Sequence, residues 1–217
     1  MPRLLLHVLL LGLAIRVPAA FDPFAVVPED FNTPAFRDKA IHKGADGNEY
    51  RIRNHNYEQS VEKSINGEWL RHGPTFRLQG GNVSETITYR DGKRDGPYLR
   101  HIVVNGESAL QTEGAYADGK KTGRWKVYDT GTLQESISYR DGKRHGLYVE
   151  YRLSGKFAGQ PAVEKTYRNG RLHGVSKHYH SGTGNVVQVV LFEDNLVREK
   201  IFYDPYTGKE KQRVSTP

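Results

Sequence analysis

The sequence predicts an all-β protein in which tandem β-hairpins form one elongated antiparallel sheet behind a short irregular N-terminal cap. Three observations carry this prediction: a repeated turn motif, a second set of turns between its copies, and alternating apolar and polar residues in the intervening runs. The motif is an aromatic residue, any residue, Asp or Asn, glycine, a basic residue, and a second glycine four positions after the first. Asp-Gly and Asn-Gly favour tight hairpins because glycine accepts a positive φ without steric cost.

Self-similarity at a fixed period is typical of repeat architectures. Clear copies of the motif occupy residues 89–98, 116–125, 139–148 and 167–174. Including a weaker copy at Asn66-Gly67, the first glycines follow one another at steps of 25, 27, 23 and 28 residues. A last copy at Asp194-Asn195 lacks both glycines, so the sequence predicts either a distorted repeat or a cap there.

A second set of turn dipeptides lies between the motif copies. Its members are Gly80-Gly81, Asn105-Gly106, Thr130-Gly131, Ser154-Gly155, Ser181-Gly182 and Thr207-Gly208. The alternation of the two sets leaves strands of roughly 6–9 residues, ~20–30 Å long. In Thr86–Tyr89 and Ser136–Tyr139, Ile and Tyr share one face of the strand, which is the pattern of a half-buried strand. We expect the second glycine of each motif to close a longer turn or to permit a close backbone approach.

The chain begins with a stretch typical of a secretory signal, which we assign to residues 1–20. Arg3 precedes an apolar run of 12 residues from Leu4 to Ile15, too short to span a bilayer, and Ala19 or Ala20 offers a cleavage position. A buried or interfacial helix is the alternative. Because the sequence has no cysteine, it offers neither a lipidated N-terminal cysteine nor a disulfide. The expectation is a soluble periplasmic protein that is not a lipoprotein.

Residues 21–45 form a proline- and phenylalanine-rich segment without a hairpin signal. We predict that this segment caps the exposed first strand, with one short helix from Thr33 to Ile41. Its phenylalanines are alternatively an anchor for a partner. The repeat domain is expected over residues 46–210, opening at Asp46-Gly47, and residues 211–217 are expected to be a frayed tail.

The motif resembles the variant MORN (membrane occupation and recognition nexus) repeat of bacterial proteins, over roughly residues 60–210. The resemblance implies a sheet of stacked hairpins. Many bacterial proteins with such repeats are described as antitoxin-like, and some secreted ones look like immunity partners of antibacterial lipase effectors. A binding role is therefore what the resemblance implies for this chain.

The search for catalytic motifs favours a protein that is not an enzyme and uses no cofactor. There is no cysteine nucleophile, no Gly-x-Ser-x-Gly elbow and no phosphate-binding glycine loop. His72, His145 and His173 each precede the second glycine of a motif copy and are predicted to be turn residues. His178 and His180, two apart on one strand face, are predicted to be solvated rather than metal ligands, because no third ligand is near in sequence.

Charge points to partners more directly. The formal net charge is +7, with 36% hydrophobic residues and a mean hydropathy of −0.69. Basic residues gather in the motif turns, which a hairpin meander places along one sheet edge, ~10 Å apart. The prominent ones are Lys93, Arg94, Lys120, Lys121, Lys143 and Arg144. This ridge either serves solubility or steers the protein toward an acidic surface. An exported protein rarely meets nucleic acid, so an acidic protein groove or anionic phospholipid headgroups are the expected targets.

The leading functional hypothesis is an immunity or antitoxin-like protein that binds and occludes a toxic effector enzyme, such as a lipase or phospholipase. Four aromatic residues on the strands are the candidate anchors, since aromatic residues dominate interface energetics; they are Tyr98, Trp125, Tyr148 and Tyr151. Trp125 alternatively holds neighbouring hairpins together. The competing hypotheses are a membrane- or wall-associated scaffold that binds anionic lipid through the basic ridge, and an enzyme that depends on His178 and His180.

Overall fold

The computed structural model describes residues 22–27, 30–31, 40–55 and 57–216. Of these residues about 70% lie in strands and 1% in helix. The strands are β1 (Ile41–Lys43), β2 (Glu49–His55), β3 (Glu58–Ile65), β4 (Glu68–Gln79), β5 (Asn82–Arg90), β6 (Lys93–Val104), β7 (Glu107–Ala117), β8 (Lys120–Asp129), β9 (Thr132–Arg140), β10 (Lys143–Tyr151), β11 (Pro161–Arg168), β12 (Arg171–Leu172), β13 (Gly174–Tyr179), β14 (Val186–Glu193), β15 (Leu196–Tyr203) and β16 (Glu210–Ser215).

All these strands belong to one antiparallel sheet in which spatial order follows chain order. The exception is the two-residue β12, which pairs only with the end of β11, while β13 continues the pairing with that strand. The predicted meander of consecutive hairpins is confirmed. Within the described ranges, no helix has the length and apolar character needed to cross a membrane. The assigned signal sequence lies outside these ranges, as does the expected helix except at Ala40, which is not helical, and Ile41, which begins β1.

The motif turns have the backbone conformation that the Asp-Gly and Asn-Gly pairs predict. In the turn between β5 and β6, Asp91 and Gly92 have φ values of 47° and 81°. Two successive positive φ values are the signature of the type I′ turn, whose twist matches that of the flanking strands. Asp194 and Asn195 adopt the same conformation, with φ values of 49° and 75°. The last motif copy therefore keeps its turn without glycine, because asparagine tolerates the left-handed region.

The second glycine of each motif does not close a turn. Gly73, Gly96, Gly123 and Gly146 lie inside strands, at a bulge, and Gly174 begins β13. Between the pairs Ile87↔Tyr98 and Tyr89↔Arg94, one residue of β5 faces three residues of β6. Gly96 lies in this bulge with a φ of 120°, which side chains other than glycine's rarely allow. The bulged strand has a second neighbour, and each second glycine pairs with the aromatic residue of the next motif copy on that strand. The pairs are Gly73↔Tyr89, Gly96↔Tyr116, Gly123↔Tyr139, Gly146↔Tyr167 and Gly174↔Phe192.

Because the bulges lie within strands, several strands are longer than the sequence predicts. Strands β4 and β6 each have 12 residues, against the expected 6–9. The C-terminal segment is also more ordered than expected, because the predicted frayed tail over 211–217 is wrong for residues that form β16. Two side-chain contacts hold β16 in place: Arg213 Nη1 donates to Glu199 Oε1 at 2.7 Å, and Lys211 Nζ lies 2.9 Å from Asp204 Oδ2.

Successive motif turns are joined by a repeated backbone hydrogen bond. In the β5–β6 turn, for example, the Gly92 N–H donates to the carbonyl oxygen of Arg71, which lies two residues before the second glycine of the preceding copy, Gly73. The other copies repeat this bond at equivalent positions. These bonds join Gly92 to Arg71, Gly119 to Arg94, Gly142 to Lys121, Gly170 to Arg144 and Asn195 to Leu172, over 2.7–2.9 Å. Each copy therefore contacts its neighbour in an equivalent way, as in other repeat proteins.

Most of the buried apolar side chains form two clusters on opposite faces of the sheet. Phe76 pairs with Thr86 whereas Ile87 pairs with Thr75, so Phe76 and Ile87 point to opposite faces. The N-terminal cluster contains Val26, Phe31, Tyr50, Ile52, Val61 and Phe76. The aromatic cluster contains Ile87, Tyr89, Tyr98, Trp125 and Ile137, with Tyr116, Tyr139 and Tyr148 packed against it.

The described part of the N-terminal segment lies over one face of β2–β4, whereas we predicted that it covers the edge of the first strand. Val26 is 5% exposed and Phe31 is 3% exposed within the N-terminal cluster. The outer edge of β2 is instead paired with β1. A side chain at Gly73 would meet the carbonyl oxygen of Pro23 at 2.2 Å, so this glycine permits the segment's close approach.

Candidate functional site

The motif turns carry a concentration of positive charge along one edge of the sheet. We call the turns at residues 90–95, 117–124, 140–144 and 168–171 the basic edge. They contain eleven lysine and arginine residues and four aspartates, an excess equal to the net charge of +7 of the whole chain. The rest of the molecule is therefore balanced in formal charge. A potential concentrated in this way acts on approaching molecules from a defined direction.

Four basic side chains occupy the position directly after the first glycine of each clear motif copy. We call Lys93, Lys120, Lys143 and Arg171 the outer row; all four residues are exposed. Lys93 Nζ lies 2.7 Å from Asp118 Oδ1 in the next turn. Among the described residues Lys120 and Lys143 make no direct ion pair. The outer row thus presents charge that is available to a partner.

The next residue in three of these copies forms a different group. We call Arg94, Lys121 and Arg144 the inner row, because they lie over aromatic rings of the following copy. The Arg94 guanidinium is 5.2 Å from the Tyr116 ring centroid, and that of Arg144 is 5.4 Å from the Tyr167 ring. The Lys121 ammonium is 4.0 Å from the Trp125 ring and 5.2 Å from the Tyr139 ring. At these distances cation–π attraction stabilises the contact between copies.

The predicted ridge of six basic residues is therefore two rows with different surroundings. Burial lowers the pKa of Lys121, and the nearby positive charge of Arg144 lowers it further. Aromatic rings already replace part of the hydration shell of the Lys121 ammonium, so a partner would have to compete with these contacts. We therefore regard the inner row as a structural element that links repeats. The sequence shows both rows as one basic pair per turn and does not distinguish them.

Two of the four predicted aromatic anchors are interior residues. Trp125 is 3% exposed and Tyr98 is 8% exposed. Their rings stack at 5.2 Å, the Trp125 Nε1–H donates to the Ala115 carbonyl oxygen at 3.1 Å, and the Tyr98 hydroxyl donates to Glu85 Oε1 at 2.7 Å. A partner could reach these rings only by displacing their neighbours. Of the two roles considered for Trp125, holding hairpins together agrees with its burial.

The other two anchors are half-buried. The Tyr148 hydroxyl donates to Glu135 Oε2 at 3.1 Å, and burial together with this carboxylate raises the pKa of Tyr148 to about 12. The Tyr151 hydroxyl lies 3.4 Å from Ser136 Oγ. Both tyrosines keep part of their surface in solvent. They remain the aromatic candidates for direct contact with a partner.

The three motif histidines lie in or beside a bulge and contact the next turn. His72 Nδ1 is 2.8 Å from Asp91 Oδ1, His145 Nδ1 is 3.3 Å from Asn169 Oδ1, and His173 Nδ1 is 3.5 Å from Asp194 Oδ1. This shared geometry gives them a structural role between successive copies. His72 and His145 lie in the strand that follows the turn, and His173 lies between β12 and β13, so none of the three is in the turn itself as predicted. His72 is the most buried of the three, at 5% exposure.

We predict that acidification destabilises the fold through His72. Burial is the largest effect on His72 and lowers its pKa below the usual 6.5, although Asp91 opposes the shift. Because the folded state then binds fewer protons than the unfolded state, the stabilisation is complete above about pH 6.5 and is lost as the pH falls through the folded-state pKa. Urea unfolding between about pH 8 and pH 5 should show a midpoint that falls less steeply in His72→Gln than in the wild type. Parallel curves would contradict the prediction, and the offset at pH 8 measures the packing change alone.

The structure separates the other two predicted histidines. His178 lies on β13, where burial lowers its pKa and Lys165 lowers it further. His180 lies beyond the end of this strand, where Nδ1 is 3.2 Å from Thr183 Oγ1. The prediction that both lie on one strand face is therefore wrong for His180. In the part of the chain that the structure describes, no group of three His, Cys, Asp or Glu side chains is placed to hold a metal ion.

Comparison of the chain with protein-family models and with curated proteins finds no match.

Proposed function

We propose that this protein is a non-enzymatic binding protein that recognises an acidic protein surface through the outer row of its basic edge. In this proposal the partner is a toxic effector enzyme, such as a lipase or phospholipase, which the protein occludes in the periplasm as an immunity or antitoxin-like protein. The concentration of the chain's net charge on one edge is the observation that carries the proposal. The resemblance to variant MORN repeats supports the choice of partner class.

The mechanism begins with electrostatic steering. The outer row repeats once per motif copy, every second strand, so its charges are spaced ~10 Å apart. Carboxylates on a partner attracted to this row would approach the basic edge first, which raises the association rate and makes it depend on salt. Tyr148 then supplies half-buried aromatic surface for the close contact that slows dissociation. Tyr151 lies on the opposite face of β10, at the strand end away from the basic edge, and is not needed for this contact. The bound protein would block the enzyme by covering its active-site entrance.

A growth assay tests this proposal directly. A candidate effector enzyme of the lipase or phospholipase class is exported to the periplasm of a test bacterium, alone and together with the chain. We expect the chain to restore growth, and we expect a variant with Lys93, Lys120 and Lys143 of the outer row changed to glutamate to protect at least about tenfold less well. The matched control is Lys156→Glu with Lys200→Glu and Lys209→Glu, since these lysines are exposed and lie away from the basic edge.

The alternative is a scaffold that binds anionic lipid through the same edge. It predicts that the chain binds phosphatidylglycerol vesicles in a salt-sensitive manner and has no effect on the toxicity of the candidate effector enzyme. Protection of growth without vesicle binding supports the occlusion of an enzyme. Vesicle binding without protection would replace that proposal with the scaffold.

A further inference from the structure

A cleft of about 460 Å³ lies at the opposite end of the repeat array from β16. The N-terminal segment, the β1–β2 turn, strands β2, β3 and β4, and the β5–β6 turn surround it. Its walls include Phe24, Asp46, Tyr50, Lys63, His72 and Asp91. Volumes of this size are typical of small-ligand sites. The cleft is separate from the outer row, so the inference below does not rest on the function proposed above.

Three aromatic rings line one part of the cleft. The Phe24 and His72 ring centroids are 5.0 Å apart with the planes tilted by 56°, and Tyr50 and His72 are 5.7 Å apart with a tilt of 59°. Tyr50 and His72 are buried, whereas Phe24 is 41% exposed. The faces of aromatic rings carry negative potential, and the Arg90 guanidinium 5.4 Å from the Phe24 centroid shows that this ring accepts a cation.

Carboxylates supply the complementary charge. Asp22, Asp46 and Asp91 line the same cleft. Asp46 is saturated, because Tyr50 and Asn48 donate to its oxygens at 2.7–3.0 Å. In contrast, Asp22 and Asp91 each use only Oδ1 in contacts among the described residues, so each Oδ2 remains available as an acceptor. Burial keeps His72 uncharged at neutral pH by lowering its pKa, so its ring adds no repulsion there.

Two cationic side chains of the protein itself, Lys63 and Arg90, already contact the carboxylates and the Phe24 ring of the cleft. Lys63 Nζ lies between two carboxylates, 3.7 Å from Asp46 Oδ2 and 3.8 Å from Asp91 Oδ1. The Arg90 guanidinium lies 5.4 Å from the centroid of the Phe24 ring, and its Nε also approaches Asp95. Within the lining of the cleft, carboxylates thus hold an ammonium and an aromatic ring contacts a guanidinium, and a cationic ligand would need the same two kinds of group. Neither is free to attract an anion.

We propose that the cleft binds a cationic group, an alkylammonium or a guanidinium, against the Phe24 ring and the unused carboxylate oxygens of Asp22 and Asp91. The group would come either from a free amine or from a basic side chain of another molecule. Its apolar stem would lie along the Phe24 ring while its N–H groups donate to the carboxylates.

Chemical shift changes of the full chain during titration test the proposal. The probes are agmatine, n-butylammonium, an arginine-containing tripeptide with blocked ends, and butyrate as the anionic control. We expect agmatine to give saturable shifts confined to residues around the cleft, with a dissociation constant of ~1 mM or tighter. A tripeptide that binds as tightly as agmatine assigns the site to basic side chains, and preferential binding of agmatine assigns it to free amines.

Two variants and one matched control keep the test specific. Phe24→Ala and Asp91→Asn should each weaken agmatine binding at least about tenfold. Asp91→Asn leaves the turn intact, because Asn169 occupies the same turn position with a φ of 50°. The control is Asp118→Asn, at the equivalent position of the next copy, which should leave binding unchanged. Shifts that do not saturate, that butyrate reproduces, or that persist in Asp91→Asn would overturn the proposal.

Discussion

Trp125→Ala should lower the free energy of unfolding by about 3–5 kcal/mol, because it empties the centre of the aromatic cluster. The indole is 3% exposed and contacts Tyr98, Tyr116 and Tyr139 at ring-centroid distances of 5.1–6.1 Å. The substitution also removes the Lys121 ammonium's aromatic partner at 4.0 Å. For a chain of this length the loss corresponds to a decrease in melting temperature of roughly 6–20 °C. Calorimetry and urea unfolding measure both quantities.

The chain's second tryptophan provides the control. Trp69 is half-buried and has the Arg51 guanidinium 4.6 Å from its ring, outside the aromatic cluster. Trp69→Ala removes the same side chain and should cost less than about half as much, since less apolar area leaves the interior. Equal losses in the two variants, or a melting temperature unchanged in Trp125→Ala, would contradict the structural role of Trp125.

Gly114→Ala should be nearly as destabilising, for the opposite reason. A Cβ atom at this position would lie 2.2 Å from Trp125 Cδ2 and 2.4 Å from Cε2, so the indole must move out of its place. Overpacking of this kind typically costs 1–3 kcal/mol, and we expect ~3 kcal/mol here because the obstacle is a large ring. The variant's unfolding midpoint in urea provides the measurement.

A double-mutant cycle isolates this contact. In the Trp125→Ala background the obstacle is gone, so Gly114→Ala should cost less than ~0.5 kcal/mol there. The added methyl group even favours the strand, because alanine loses less backbone freedom on folding than glycine. Additive effects of the two substitutions would show that Gly114 does not serve to accommodate the indole.

The hairpin architecture was predictable because its determinants are local. Asp91-Gly92 and its equivalents define each turn within two residues, and alternation around Ile87 and Tyr89 defines the buried face of β5. Local sequence did not, however, distinguish a turn from a bulge at the second glycine of each motif. A glycine such as Gly96 needs a positive φ in a turn and in a bulge alike, and only the pairing of β5 with β6 and β7 distinguishes the two.

The candidate site was predictable in composition and not in geometry. The position of Lys93, Lys120 and Lys143 after a turn glycine indicates solvent exposure, as the structure has it. The different surroundings of Lys121 depend on rings supplied by Trp125 in its own hairpin and by Tyr139 in the next copy. The cleft was not predicted at all. Its walls come from four separate segments, and Asp22 and Asp91 meet only after the N-terminal segment packs on the sheet.

The association rate between this protein and the proposed effector enzyme tests the central claim most directly. We compare the wild type with Lys93→Glu/Lys120→Glu/Lys143→Glu and with the control Lys156→Glu/Lys200→Glu/Lys209→Glu, which changes the net charge equally. At ionic strengths from about 20 mM to 200 mM, steering by the outer row predicts an association rate at least about tenfold lower in the first variant, with little salt dependence and an unchanged dissociation rate. The control should retain the wild-type rate within about threefold. Equal slowing in both variants, or no slowing in the first, would contradict recognition through the outer row.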